Sequence, residues 1–262
     1  MTPTGKSLFI WQIPSVLGGD TKLIAQQAKV MGLSSVFVKV TDGVSSKHSG
    51  ETLRKLANYL KVEGLETWVW GYQYGPGFRK KRYDLDHARQ EGVSIAQRAL
   101  GIGATGILLD PEIEFEETLG YKSHPTPDED PSAAAPYAVA LCKGVREVWS
   151  GPLGYCPFWK PSSHGAYPWW SFSSLCNFVA PQTYFFNSNP VAQLETCISQ
   201  FKPYGLPVYP AGPVAGAESG WSATKPERWC KAVSDHKLLG AVGWCWDEMT
   251  PANLNVWAKW KV

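Results

Sequence analysis

The chain has 262 residues, 44% of them hydrophobic and 18% charged, with a formal net charge of +2. That is enough apolar residue for a large core, and so even a charge balance, without a long Lys/Arg run, excludes a nucleic-acid partner. No stretch approaches the roughly 18 apolar residues of a membrane span, and the amino terminus has no signal-peptide core, so the chain is expected to be cytoplasmic when made.

Six cysteines are scattered without a C-x-x-C pair, so neither zinc nor redox spacing is present and buried free thiols are expected. No metal or other cofactor is expected. The basic cluster 79–82 reads as a solvated loop. Thirteen tryptophans are unusual for this length and point to flat apolar platforms as well as core filling.

The chain alternates strand and helix signals. A first strand is expected over 7–13. Asp20 can cap the following helix, where Leu23, Ile24, Ala28 and Met31 recur at helical spacing. A second strand over 35–41 leads to a helix over 51–62 that stops at Gly64. A third strand spans 67–72, and a helix over 84–100 ends at Gly101 and Gly103. The fourth strand starts with the apolar run 107–109 and should stop at about Asp110, because Pro111 has no N–H for a sheet ladder.

A Pro-rich loop over 125–131 precedes a helix over 133–149. The fifth strand covers 152–156, and 158–175 shows no helical period and reads as a long structured loop. The sixth strand is expected over 177–184, with a helix over 191–201. A seventh strand over 207–211 and a helix over 226–236 follow. An eighth strand over 241–246 and a closing helix over 253–260 complete the chain. Eight strand-like runs, nearly all separated by helices, predict an α/β fold: a single (β/α)8 TIM barrel over 1–262, expected as a monomer.

In such a barrel the carboxyl ends of the strands surround one mouth. Asp110 and Glu112 fall at one strand end, and in extended chain their side chains would point the same way, roughly 6–7 Å apart. Two carboxylates so placed repel each other and invite a chemical explanation. Trp11, Lys39, Trp70, Tyr72, Gln182, Tyr184, Tyr209, Trp244, Trp246, Asp247 and Glu248 fall at other strand ends. Glu114, Glu116 and Glu117 read as solvated loop charges. Carboxylates and amide or phenol donors ringed by indoles are what a polysaccharide site needs. Neither a P-loop nor a dinucleotide fingerprint occurs.

The run TGILLDPE over 105–112 resembles the fourth-strand D-G-x-D-x-D-x-E signature of chitinase-type (family eighteen) glycoside hydrolases, its last Asp and Glu falling on Asp110 and Glu112. PQTY over 181–184 is similar to the sixth-strand Tyr motif of that group, and Trp246 falls where its eighth-strand Trp would be. Thr105 and Leu108 replace the two earlier Asp residues. Family twenty-five lysozymes share a D-x-E on strand four, but their strand-one Asp has no counterpart in 9–13. A closer likeness, over 38–43, 68–72, 164–169 and 181–184, is to a group of bacterial and phage glycoside hydrolases.

The resemblance implies hydrolysis of an N-acetylhexosamine polymer, peptidoglycan or chitin-like, as by a phage lysin released to the cell wall. Glu112 would be the general acid/base, Asp110 would hold the 2-acetamido group, and Tyr184, with Gln182, would donate to its oxygen. Trp11, Lys39, Trp70, Tyr72, Trp246 and Asp247 are the expected substrate contacts. Three alternatives stay open: water activation by Asp247 or Glu248, a catalytically inactive glycan- or protein-binding barrel, and a Schiff-base lyase using Lys39.

Overall fold

The computed structural model describes residues 2–77, 83–116, 133–185, 188–213 and 224–262. The basic cluster 79–82, the loop 125–131 and Glu117 lie outside them. In chain order the elements are β1 (Gly5–Ile10), α1 (Thr21–Val30), β2 (Ser35–Asp42), β3 (Ser45–Ser46), α2 (Gly50–Val62), β4 (Glu66–Gln73), α3 (Leu85–Ile102) and β5 (Gly106–Pro111). There follow α4 (Ala135–Arg146), β6 (Leu153–Tyr155), α5 (Trp169–Leu175), β7 (Phe178–Val179), α6 (Pro190–Phe201), β8 (Ala211–Pro213), α7 (Thr224–Asp235), β9 (Gly240–Trp244) and α8 (Pro251–Lys259).

The strands form one sheet in the order β7-β6-β5-β4-β2-β1-β9-β8, with β3 folded back antiparallel on β2. All pairs along that path are parallel. The ends of the path meet through the bridges Val179↔Val208 and Gln182↔Ala211, which close the sheet on itself. The expected (β/α)8 barrel is therefore the fold.

Local signals account for most of the elements. Asp20 accepts the Lys22 and Leu23 N–H groups at the start of α1, as its capping role requires, and Gly103 ends α3 in the left-handed conformation. Three expectations need correction. Within 158–175, Trp169–Leu175 is helix α5; Trp169 and Phe172, three apart, bury one face of it against the barrel. Seven residues are too few for a period to stand out among the prolines before them.

The sixth strand is regular only over Phe178–Val179, since Pro181 offers no ladder N–H, and continues as isolated bridges. The seventh regular strand is Ala211–Pro213, not 207–211. That register leaves Tyr209 at the amino end of the barrel, not at its mouth. Its hydroxyl donates to Gly5 O (2.9 Å) and lies 2.7 Å from Ser7 Oγ, which is itself 2.6 Å from Ser35 Oγ.

Two apolar layers result. Inside the barrel Phe9, Phe37, Trp68, Trp70, Leu108 and Phe178 are buried together, while a larger cluster fills the space between strands and helices. The large rings fit because glycine lies beside them: a Cβ on Gly106 would come within 2.2 Å of the Trp68 indole. The chain ends are tied by Lys6, whose ammonium donates to the carbonyls of Trp257, Ala258 and Trp260 at 2.8, 2.9 and 2.8 Å. All six cysteines are buried and unpaired. Among the described residues no helix is long and apolar enough to cross a membrane.

Candidate active site

β5 carries its apolar run through the barrel wall and delivers Asp110 to the mouth. The strand runs one residue further than its sequence predicts: Pro111 pairs with Gln73 of β4, having an acceptor to offer though no donor. After Pro111 the chain turns, and Glu112 stands immediately before the single 3-10 turn Ile113–Phe115. The exit is braced on both sides. Gln73 Oε1 accepts the Asp110 N–H at 2.6 Å, and the Tyr167 hydroxyl donates to Pro111 O at 3.1 Å.

Gln182, arriving past β7, brings the two acids together. Its Nε2 donates to Asp110 Oδ1 at 3.2 Å and to Glu112 Oε1 at 2.8 Å, with Cys156 O a further 3.4 Å acceptor. Both carboxylates and Gln182 face a cavity of about 180 Å³ in the barrel mouth. Trp70, Trp244, Phe9 and Tyr184 supply its aromatic walls, with Leu108 and Cys156 beside the acids.

That setting decides the electrostatics. Burial holds the Asp110 carboxyl well above the usual carboxylate range; the Glu112 charge pushes the same way, and Lys39 and Gln182 oppose it. Burial likewise raises Glu112, joined by the charge of Glu114 and opposed by Gln182 and Lys39. The pair therefore keeps a proton at higher pH than two free carboxyls would. Burial raises the Tyr184 phenol too, so it remains a neutral O–H group.

Five of the ten expected site residues line the cavity, Asp110, Glu112, Tyr184, Trp70 and Gln182, and a sixth, Lys39, acts on both acids through its charge. The Lys39 ammonium lies 5.0 Å from the Trp70 ring centre and 5.7 Å from that of Tyr72, and 3.5 Å from the Asp42 carboxylate. Tyr72 turns to Glu114, donating to Oε2 at 2.7 Å. Trp11 lies outside the cavity lining, its ring 6.4 Å from that of Trp244.

Asp247 and Trp246 are not brought into the cavity. Both Asp247 oxygens accept backbone N–H groups, from Trp11 at 2.9 Å and Gln12 at 3.2 Å, which fastens the end of β1 to the turn after β9. Trp246 is buried in the outer layer, because regular pairing ends at Trp244 and a 3-10 turn over Trp246–Glu248 swings its indole to the helix side. Trp244 takes the place expected of it.

Sequence reasoning also misplaced Glu116. It is fully buried, with Oε2 2.6 Å from His164 Nδ1, and the His164 ring lies flat on Phe158 at 3.8 Å. Nothing in an E-x-E-x-E run distinguishes the buried carboxylate from its neighbours; only the distant His164 does. Among the described residues no group of His, Cys, Asp and Glu could hold a metal ion.

No protein-family model matches the chain, and no curated protein matches its sequence. Its backbone is similar to that of a GH18 chitinase from Pseudoalteromonas aurantia, at 12% identity and a TM-score of 0.65 over 98% of each chain. It is also similar to a GH113 β-1,4-mannanase, at 12% identity and a TM-score of 0.65 over 98% of each chain. The spore cortex-lytic enzyme SleL of Bacillus megaterium QM B1551 aligns at 10% identity and a TM-score of 0.60, covering 98% of this chain and 74% of that one. At such identities the likeness is one of architecture: this chain has the (β/α)8 barrel on which these glycoside hydrolases are built.

Proposed function

We propose that residues 1–262 form one catalytic barrel that hydrolyses a glycan containing N-acetylhexosamine, with peptidoglycan the preferred substrate. The observation that carries the reading is the acid pair: Asp110 and Glu112, bridged by one Gln182 amide, face an indole-walled cavity at the barrel mouth. Glu112, its pKa raised by burial, keeps the proton that a leaving glycosidic oxygen needs. As the C1–O bond breaks, the acetamido oxygen of the same sugar bonds to C1. Asp110 accepts the acetamido N–H, and Tyr184 donates to the acetamido oxygen. Water then adds at C1 as the bond from C1 to the acetamido oxygen breaks, and it gives its proton to Glu112, which restores both the acetamido group and the acid.

Trp70 and Trp244 give the sugar ring apolar faces to lie against. Lys39 tempers the charge of the pair. The similarity to a cortex-lytic enzyme supports wall glycan as a substrate beside chitin, as an analogy of fold. One observation favours a second reading, an inactive glycan- or protein-binding barrel: apolar Leu108 lines the cavity where the resembled signature has an acid.

The test is digestion of purified cell wall and of chitin oligomers by the wild type and by Glu112→Gln, with new reducing ends identified by mass spectrometry. Sugar release should fall by about 10²-fold or more in the variant while glycan binding persists. Equal release by both proteins removes Glu112 from the acid's role. Binding by the wild type without release favours the inactive barrel.

A further inference from the structure

A second concavity, of about 470 Å³, lies on the flank of the barrel where α5 meets the 3-10 turn Lys202–Tyr204. Trp170, in the first turn of α5, is 65% exposed and stands over it, its ring centre 4.8 Å from that of Tyr204. Buried Tyr167 and Trp169 close its inner wall, and Pro161 and Pro168 border it. None of the described residues lining it is charged; their polar atoms are hydroxyls, indole N–H groups and backbone groups.

An indole left that far out of water's exclusion loses the favourable burial its ring could gain, and a paired aromatic platform without charges suits a flat, neutral, partly apolar ligand. A pyranose ring is such a ligand: its C–H face lies on an aromatic ring, and its hydroxyls meet hydroxyls and carbonyls. Among the described lining residues an anionic or cationic partner would find no opposite charge. The groove is also continuous with the structure that holds the acids. Tyr167, in its wall, donates to Pro111 O between Asp110 and Glu112, and Trp169 Nε1 donates at 2.8 Å to O of His164, the partner of Glu116.

We infer that this groove is a second glycan-binding site, in which Trp170 and Tyr204 hold an uncharged N-acetylhexosamine ring of the polymer that the barrel mouth cuts. The identity of the polymer rests on the function proposed above; the groove itself does not.

Co-sedimentation with insoluble chitin and with purified cell wall tests it, using the Glu112→Gln chain so that no turnover intervenes. Adding Trp170→Ala should weaken binding about five-fold or more, and Trp170→Tyr should retain most of it. In the otherwise wild-type chain, Trp170→Ala should leave hydrolysis of short oligomers unchanged. Binding that ignores Trp170→Ala overturns the inference, as does a chain that binds neither polysaccharide. A loss of binding that accompanies a changed sedimentation coefficient also overturns it and assigns Trp170 to a contact between copies. The two proposals fail separately: Trp170-dependent binding without sugar release sinks the hydrolase alone, and sugar release with Trp170-independent binding sinks the groove alone.

Discussion

Glu114 shows how much of the site's chemistry belongs to single charges. It lies outside the cavity lining, yet its carboxylate raises the pKa of Glu112, and the Tyr72 hydroxyl holds it in place at 2.7 Å. Glu114→Gln keeps an acceptor for Tyr72 and removes the charge, so Glu112 loses its proton at lower pH. If Glu112 is the acid, the high-pH limb of the rate profile moves to lower pH while turnover on the acid side is retained. A pH–rate series on a chitin oligosaccharide measures this, and an unmoved limb separates Glu114 from the acid. Gln182 makes the same point in the other direction. A neutral amide, the second residue of the PQTY run, bridges the two carboxyls that share the cavity.

Helix α3 acts on the mouth through one residue. Glu91 accepts the Tyr74 N–H at 3.3 Å and the Tyr83 hydroxyl at 2.9 Å, so one carboxyl pins both described ends of the β4–α3 connection. Burial pushes it up to about 8 from the usual 4.5. Between those values the folded chain keeps a proton that the unfolded chain releases, so stability is fullest below pH 4.5 and declines as pH rises toward 8. Glu91→Gln keeps one acceptor oxygen for the Tyr74 N–H, turns a donating amide N–H toward the Tyr83 hydroxyl as a protonated carboxyl would, and cannot ionise. Urea denaturation near pH 5 and again near pH 8 should show the wild type losing on the order of a few kcal/mol more than the variant. Parallel losses would mean that Glu91 does not titrate in the folded protein.

The β/α alternation makes the barrel, but its circumference is uneven. From β2 to β4 the register runs over seven residue pairs, whereas β7 meets β8 only through isolated bridges. Among the described residues four backbone bonds cross that seam, Val179 N–H to Pro207 O, Tyr209 N–H to Val179 O, Ala211 N–H to Pro181 O and Thr183 N–H to Ala211 O. Prolines 181 and 207 occupy positions on that seam that would otherwise donate. Hydrogen exchange should find the amides of Val179, Tyr209, Ala211 and Thr183 opening before those of Phe37 and Val38 in β2. Equal protection around the ring would show that the barrel opens only as a whole.

The sequence by itself determined the architecture and the acid pair. Eight apolar runs, nearly all separated by helices, leave few foldings besides a closed parallel sheet, and a proline after Asp110 marks the end of one strand to within a residue. These signals are local: periodicity, capping and the missing proline donor act within a few residues of the positions they govern. Tertiary structure decided which side chains face inward where strands are irregular. Trp244 rather than Trp246 meets the cavity because regular pairing stops at Trp244, and Tyr209 sits at the barrel floor because β8 begins only at Ala211. It also decided the buried pairings of Glu116 with His164 and of Gln73 with Asp110 N–H, whose partners are 48 and 37 residues apart. Whether a carboxylate in an alternating acidic run is solvated or buried depends on the side chain that folding brings to it, and no local pattern encodes that partner.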